Sequence, residues 1–214
     1  MSCKGMLKVN EMFPSIQGEG IYIGVPMFFI RLTGCNLRCK WCDTQYAFSE
    51  GVDMEIDDIV KEVEESGIKW VCLTGGEPLL QKDVYRLIYR LMENHNILIE
   101  TNGSVSIEEV PTEENVVISL DIKTPSSGMH HAMKFENLEY LGPRDFVKFV
   151  IMDEEDYNYA KSILEKYEIK TEVVFQPVWG TDIKWLIKKV MEDKVNVRVL
   201  PQLHKIIWGE RRGV

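Results

Sequence analysis

The sequence predicts an α/β protein built as an incomplete barrel of mainly parallel strands. Short apolar runs alternate along the chain with segments of helical periodicity, an order that gives parallel strands joined by right-handed crossovers. Polar pieces rich in Gly and Pro follow the strands rather than the helices. The chain has 214 residues, fewer than the roughly 250 of a complete eightfold α/β barrel. Residues 102–115 and 122–144 also lack the helical periodicity that two of its crossovers would need.

Each element has its own signal. Strands are expected at 27–33, 70–74, 97–101, 116–121, 146–151, 172–176 and 195–200, where β-branched and aromatic residues cluster. Helical spacing runs through Ile56, Ile59, Val60 and Val63, then Val84, Leu87, Ile88 and Leu91. It returns in Tyr157, Ala160, Ile163 and Leu164, and in Ile183, Leu186, Ile187 and Val190. Acidic residues open the first and third helices, and Gly67 stops the first. Trp185 and the Met residues at helical spacing read as core, and Cys72 as a buried strand residue. Cys3 reads as a surface thiol.

A composition 45% hydrophobic and 28% charged is that of a globular chain, expected as one domain over residues 1–214. No apolar run reaches a membrane span, and residues 1–13 lack the apolar centre of a signal peptide, so a cytoplasmic location without membrane contact is expected. A net charge of −9 excludes broad, non-specific nucleic-acid binding. The basic stretch 205–212 is too short to alter that, though it can pair with an anionic ligand.

Parallel strands bring their carboxyl ends to one edge. There the chain places Cys35, then TGGEP (74–78), ETNG (100–103), DIKTPSSG (121–128), FQPVWG (175–180) and LPQLHK (200–205). Taken singly, such pieces are ordinary turns. Six on one edge predict a shared site.

Three of the five cysteines, Cys35, Cys39 and Cys42, fall within eight residues in the run CNLRCKWC. Structural zinc normally takes four ligands, and Cys3 and Cys72 are not spaced as a second pair. A redox pair of Cys39 and Cys42 leaves Cys35 without a purpose. Three thiolates on one loop suit a [4Fe–4S] cluster with one iron left open for chemistry.

CNLRCKWC reads C-x3-C-x2-C and resembles the cluster loop of the radical S-adenosylmethionine enzymes, and GGEP (75–78) resembles their site for the methionine amino group. With SIQGEG (15–20), RLTGCNLRCKWCDT, TGGEP, ETNG and the final PQLHKIIWGERRGV, the chain resembles the 7-carboxy-7-deazaguanine synthase family. The matches run from residue 15 onward, with 105–117 and 136–174 alike only in general pattern. That resemblance implies a partial TIM-like barrel with a radical S-adenosylmethionine core. The implied activity is a carbon–nitrogen lyase reaction. It converts 6-carboxy-5,6,7,8-tetrahydropterin to 7-carboxy-7-deazaguanine, with loss of ammonia, for the 7-deazaguanine nucleosides (queuosine, archaeosine) of transfer RNA. Cofactors implied are the cluster, S-adenosylmethionine and Mg²⁺. Implied partners are a flavodoxin- or ferredoxin-type electron donor and a second copy of the chain, with no direct nucleic-acid contact.

The resemblance also assigns residues. The cluster falls to Cys35, Cys39 and Cys42 in the loop 34–55, and Mg²⁺ to Thr44. S-adenosylmethionine contacts fall to Trp41, Cys42, Asp43, Gly75, Gly76, Glu77, Ser119, Asp121 and Lys123. Family members often read Ser-Pro-Lys where this chain has SLDIK (119–123), so Lys123 is the firmest match there. Glu100 and Asn102 are further candidates for the nucleoside. Substrate contacts fall to Ile16, Gln17, Gly18, Glu19, Arg31, Thr74, Gln202 and His204, largely within segments 15–20 and 200–205, with Lys205 as a further candidate. Residue chemistry agrees. Gln17 both donates and accepts, Glu19 accepts from ring N–H groups, and Glu77 accepts from an ammonium. Arg31 carries a fork suited to a carboxylate inside the apolar run FFIRLTG, where an unpaired guanidinium is costly; a structural salt bridge is its alternative. Two rival functions fit part of the pattern. An activase that installs a glycyl radical on a partner protein shares the cysteines and GGEP but needs neither SIQGEG nor Arg31. A zinc-binding interaction module leaves the strand-end motifs without a role.

Overall fold

The computed structural model describes residues 5–214; Cys3 lies outside them. Along the chain come β1 (Met6–Ile16), β2 (Pro26–Leu32), β3 (Val52–Glu55), α1 (Ile56–Ser66), β4 (Trp70–Gly75), α2 (Val84–Leu91), β5 (Asn96–Thr101), β6 (Val116–Ile122), β7 (Phe146–Ile151), α3 (Glu154–Lys166), β8 (Glu172–Pro177), α4 (Ile183–Asp193), β9 (Arg198–Val199) and α5 (Leu203–Trp208). The strands form one open sheet in the order β3-β1-β2-β4-β5-β6-β7-β8-β9. From β2 through β9 the pairing is parallel. At the other edge β1 runs antiparallel to both β2 and β3. The sheet never closes, as an incomplete barrel requires.

Period-two alternation sorts the strands' side chains onto two faces. Phe28, Ile30 and Leu32 of β2 join Leu73, Ile99, Ile118, Val147 and Phe175 in one core, and all four long helices pack there through residues such as Ile59, Leu87, Tyr157 and Leu186. The opposite face has only a small apolar base of Met27, Phe29, Cys72, Leu98, Val117, Phe146 and Val174. With every long helix on one side, the other side is free for a ligand. Buried Leu and Ile side chains at roughly 1.5–3 kcal/mol each hold the helical layer.

The helix ends match their signals. Asp57 and Asp58 sit in the first turn of α1, and Gly67 caps it at φ 66°. Asp153 accepts from the Asp156 amide to cap α3, and Asp182 accepts from the Lys184 amide to cap α4. Where periodicity is missing, the β5–β6 and β6–β7 crossovers contain no α-helix; short 3-10 turns such as Phe135–Tyr140 replace one.

Three departures from the sequence reading concern strands at the edges. β1 is not expected from MLKVNEMFPSI because a register shift between Val9 and Glu11 breaks its alternation, and Pro14 lies where β3 no longer pairs with it. β3 has four residues, two of them exposed, and so carries little hydrophobic signal. The strand expected over 195–200 shrinks to Arg198–Val199, since it pairs only with β8.

Replacing Leu87, which is fully buried in α2, with Ala is expected to cost about 2–5 kcal/mol of unfolding free energy in denaturant titrations. Replacing the exposed Met191 of α4 with Ala is expected to change it by no more than about 0.5 kcal/mol.

Candidate active site

The six strand-end segments meet at a cavity of about 540 Å³ on the face away from the four long helices. Its wall takes in the cysteine loop after β2, Thr74 to Gly76 after β4, Glu100 to Asn102 after β5, Ser119, Asp121 and Lys123 of the β6 end, Val178 and Trp179 after β8, and Gln202, His204 and Lys205 after β9. Ile16 to Glu19, from the end of β1, and residues 210–214 line it as well.

All three loop cysteines are free and half-buried. The Leu37 amide and Asn102 Nδ2 donate to Cys35 Sγ at 3.4 and 3.7 Å. Burial pushes the Cys39 thiol up to about 11 and raises that of Cys42, so these sulfurs need a cation beside them to become thiolates. Among the described residues no three His, Cys, Asp or Glu side chains stand close enough to hold a single metal ion between them. The GG pair seats the loop. A Cβ at Gly76 would collide with the Gly34 carbonyl and lie 2.7 Å from Cys35 Cβ, so only glycine lets β4 approach the cluster loop this closely.

Glu77 faces away from the cavity and is fully buried. Its carboxylate accepts from the amides of Leu79 (3.0 Å) and Asn102 (2.6 Å) and from the Thr101 hydroxyl (2.9 and 3.0 Å). Burial raises it to about 7 against the pull of those donors. Both carboxylate oxygens hold the strand ends through these donors.

Paired charges also line the cavity. Lys148 of β7 donates to Glu19 and lies 3.6 Å from Asp121, which also receives Lys123 at 2.9 Å. Gln202 Nε2 donates to the other Glu19 oxygen at 2.9 Å. Burial opposes ionisation of Glu19, but the Lys148 charge outweighs it and holds the carboxyl far below its ordinary 4.5. Asp121 Oδ1 and Gln202 Oε1, both on the cavity wall, are buried without a partner. Orphaned polar atoms on a cavity wall are the mark of a polar ligand.

Arg31 is at once ion-paired and cavity-lining. Its Nε donates to Glu11 Oε1 at 2.7 Å, from the residue directly opposite on β1, and its guanidinium lies 6.0 Å from both the Phe13 and Tyr46 rings. Tyr46 donates to the same Glu11 oxygen, and Arg212 pairs with the other while lying 3.8 Å above the Tyr46 ring. Gln17 is 2% exposed, with Nε2 on Glu100 at 3.1 Å and Oε1 taking the Glu19 amide at 3.0 Å. Its amide therefore shapes the SIQGEG turn instead of standing free for a ligand. Thr74 donates to Glu100 at 2.9 Å. Gly18 abuts His204, and its carbonyl accepts from the Leu203 amide at 2.8 Å, docking α5 on that turn. Trp41 donates to Ser126, and Lys123 lies 5.5 Å from the Trp41 ring. Thr44 donates to Asp43, whose carboxylate also pairs with Lys205 at 3.1 Å.

Comparison with known proteins is consistent with this geometry. The radical SAM superfamily model matches residues 29–141. The 7-carboxy-7-deazaguanine synthase of Thermoplasma acidophilum is 42% identical over 96% of this chain and 99% of its own length. The chain belongs to the 7-carboxy-7-deazaguanine synthase family. Another member, from Chlorobaculum tepidum, is 38% identical over the full length of both chains. The crystal structure of QueE from Escherichia coli shares the fold, with a TM-score of 0.78 over 93% of this chain and 95% of that one at 23% identity.

Membership of the superfamily brings a [4Fe–4S] cluster, S-adenosylmethionine, a small-molecule substrate and a need for an electron donor. The residues fit the first two. Three half-buried thiols sit on one loop, and Cys39 and Cys42, raised by burial, gain from the positive iron they would ligate. The unpartnered Asp121 oxygen and the close glycine backbone lie on the same cavity wall.

Sequence reasoning passed over Lys148, Glu11 and Tyr46. Lys148 carries the signal that exposed Arg31, a cation inside an all-buried apolar strand, FVKFVI. Glu11 and Tyr46 carry none, because each gains its place only through tertiary pairing.

Gly76→Ala is expected to lower iron and sulfide incorporation at least severalfold on anaerobic reconstitution, with the fold retained by circular dichroism. Lys148→Met strands the Glu19 carboxylate and is expected to cost about 3–5 kcal/mol at neutral pH. A depressed carboxyl stabilises fully above its ordinary 4.5 and progressively less as pH falls below it toward the depressed value. The stability gap between wild type and this variant should therefore narrow below pH 4.5, measured by denaturation across pH.

Proposed function

We propose that this chain converts 6-carboxy-5,6,7,8-tetrahydropterin to 7-carboxy-7-deazaguanine and ammonia. The observation that carries the reading is one cavity in which Arg31 and the Lys148–Glu19 pair face a three-cysteine loop, in a chain whose relatives over nearly full length are named for that product. Substrate and product differ by one ammonia, so the conversion consumes no net oxidant or reductant.

Cys35, Cys39 and Cys42 would hold the cluster. With S-adenosylmethionine bound, it supplies reductive cleavage to a hydrogen-abstracting 5′-deoxyadenosyl radical. The chain's residues bind and orient around that chemistry. Backbone at Gly75 and Gly76 receives the methionine end, while Lys123 and Asp121 meet its carboxylate and the ribose. Trp41, Asp43 and Ser119 line the nucleoside side.

Arg31 offers its fork to the pterin carboxylate, held in aim by Glu11. Glu19, ionised by Lys148, accepts from the ring N–H edge, and the Ile16 to Gly18 turn and Thr74 set the plane of the ring. Gln202 and His204 close over the side where nitrogen leaves. Thr44 and Asp43 suit Mg²⁺, which keeps several waters and takes one or two protein oxygens plus substrate.

A flavodoxin- or ferredoxin-type reductant, a homodimer and a cytoplasmic setting complete the reading; no helix among the described residues is long and apolar enough to cross a membrane.

Reconstituted protein given S-adenosylmethionine, reductant, Mg²⁺ and the pterin under anaerobic conditions should yield 7-carboxy-7-deazaguanine by mass spectrometry. Formation of 5′-deoxyadenosine without that product would refute the substrate assignment. Arg31→Gln removes a charge-assisted bond of about 1.5–3 kcal/mol and should raise KM by about tenfold or more, with cluster content unchanged.

A further inference from the structure

Asn102 turns one side-chain donor toward the cysteine loop. Its backbone N–H goes to the buried Glu77 at 2.6 Å. Its side-chain oxygen accepts from the Ser104 amide at 3.0 Å and the Ser104 hydroxyl at 2.6 Å. A backbone N–H can only donate, so that contact fixes which side-chain atom is the oxygen and aims Nδ2 the other way. Nδ2 then reaches Cys35 Sγ at 3.7 Å and Asn36 Oδ1 at 3.2 Å. The residue is buried, at 7% exposure, so water does not compete strongly for the donor. Cys35 Sγ receives one further donor, the Leu37 amide, which is backbone and invariant to substitution.

We propose that Asn102 is a positioning residue whose amide N–H, held by Ser104 and Glu77, raises the reduction potential of the cluster bound through Cys35. A donor on a ligating sulfur draws electron density from it and favours the reduced cluster, whose sulfurs carry more negative charge. Glu77 thereby bears on the cluster through the Asn102 backbone without lining the cavity. The inference rests on the cluster-binding role of the cysteine loop and is independent of the pterin assignment.

Asn102→Leu and Asn102→Ser test it by EPR-monitored potentiometric titration of the reconstituted full chain, with neither S-adenosylmethionine nor pterin present. Iron, sulfide and melting temperature are measured alongside. Both variants should hold a full cluster with a more negative midpoint, lowering the reduced-to-oxidised ratio at fixed potential on the order of tenfold, about 59 mV for a one-electron couple. Leu excludes water and Ser admits it, so an effect of solvent access would move the two midpoints in opposite directions and overturn the proposal. Full clusters at the wild-type midpoint would overturn it as well. So would failure of both variants to take up cluster, which would make Asn102 a retention residue.

Discussion

Glu77 is fully buried, and its carboxylate collects two backbone amides and a hydroxyl from the ends of β4 and β5. An unmade bond to a buried carboxylate is expensive, so these donors must stay where they are. That constraint fixes Asn102 beside Cys35 and holds the GG turn against the cluster loop, where Gly76 leaves no room for a side chain. The Glu77 amide itself donates to the Gly34 carbonyl at 2.8 Å, so one residue ties β4, β5 and the start of the cysteine loop together. Around it, the parallel sheet with all its long helices on one face leaves the other face to be furnished by strand ends.

The inner wall reverses the charge character of the whole. The chain carries a net −9, yet Arg31, Lys123 and Lys148 are all turned toward the cavity, each against a carboxylate. Burial alone would discharge these lysines; the neighbouring acids outweigh it and raise both. A pre-paired cation is aimed without being neutralised by solvent, and it suits ligands that bring carboxylates of their own. Glu11 shows the arrangement most clearly: the carboxylate that aims Arg31 also anchors Arg212 of the C-terminal segment that lines the cavity.

Much of this was legible in the sequence where one residue's own chemistry decides the matter. The parallel strands from β2 to β8 and the four long helices follow from periodicity, and the convergence of the strand-end motifs follows from topology. Arg31 stood out because a guanidinium in an apolar strand needs a partner. The partner, Glu11, did not, since β1 has a bulge and its pairing is long-range. Glu77 and Gln17 sit in recognisable motifs, but a motif gives adjacency along the chain and not the direction of a side chain. Both turn inward and use their polar atoms on the backbone and neighbouring strands.

The central claim is that one strand-end cavity holds cluster, nucleoside and pterin together, with the pterin carboxylate on Arg31. An anaerobic crystal structure of reconstituted protein with S-adenosylmethionine and 6-carboxytetrahydropterin tests it most directly. The account predicts the cluster on Cys35, Cys39 and Cys42, and the pterin carboxylate on the Arg31 fork with the Glu11 pair intact. A pterin seated outside this cavity, or one whose carboxylate meets a different cation, would contradict it.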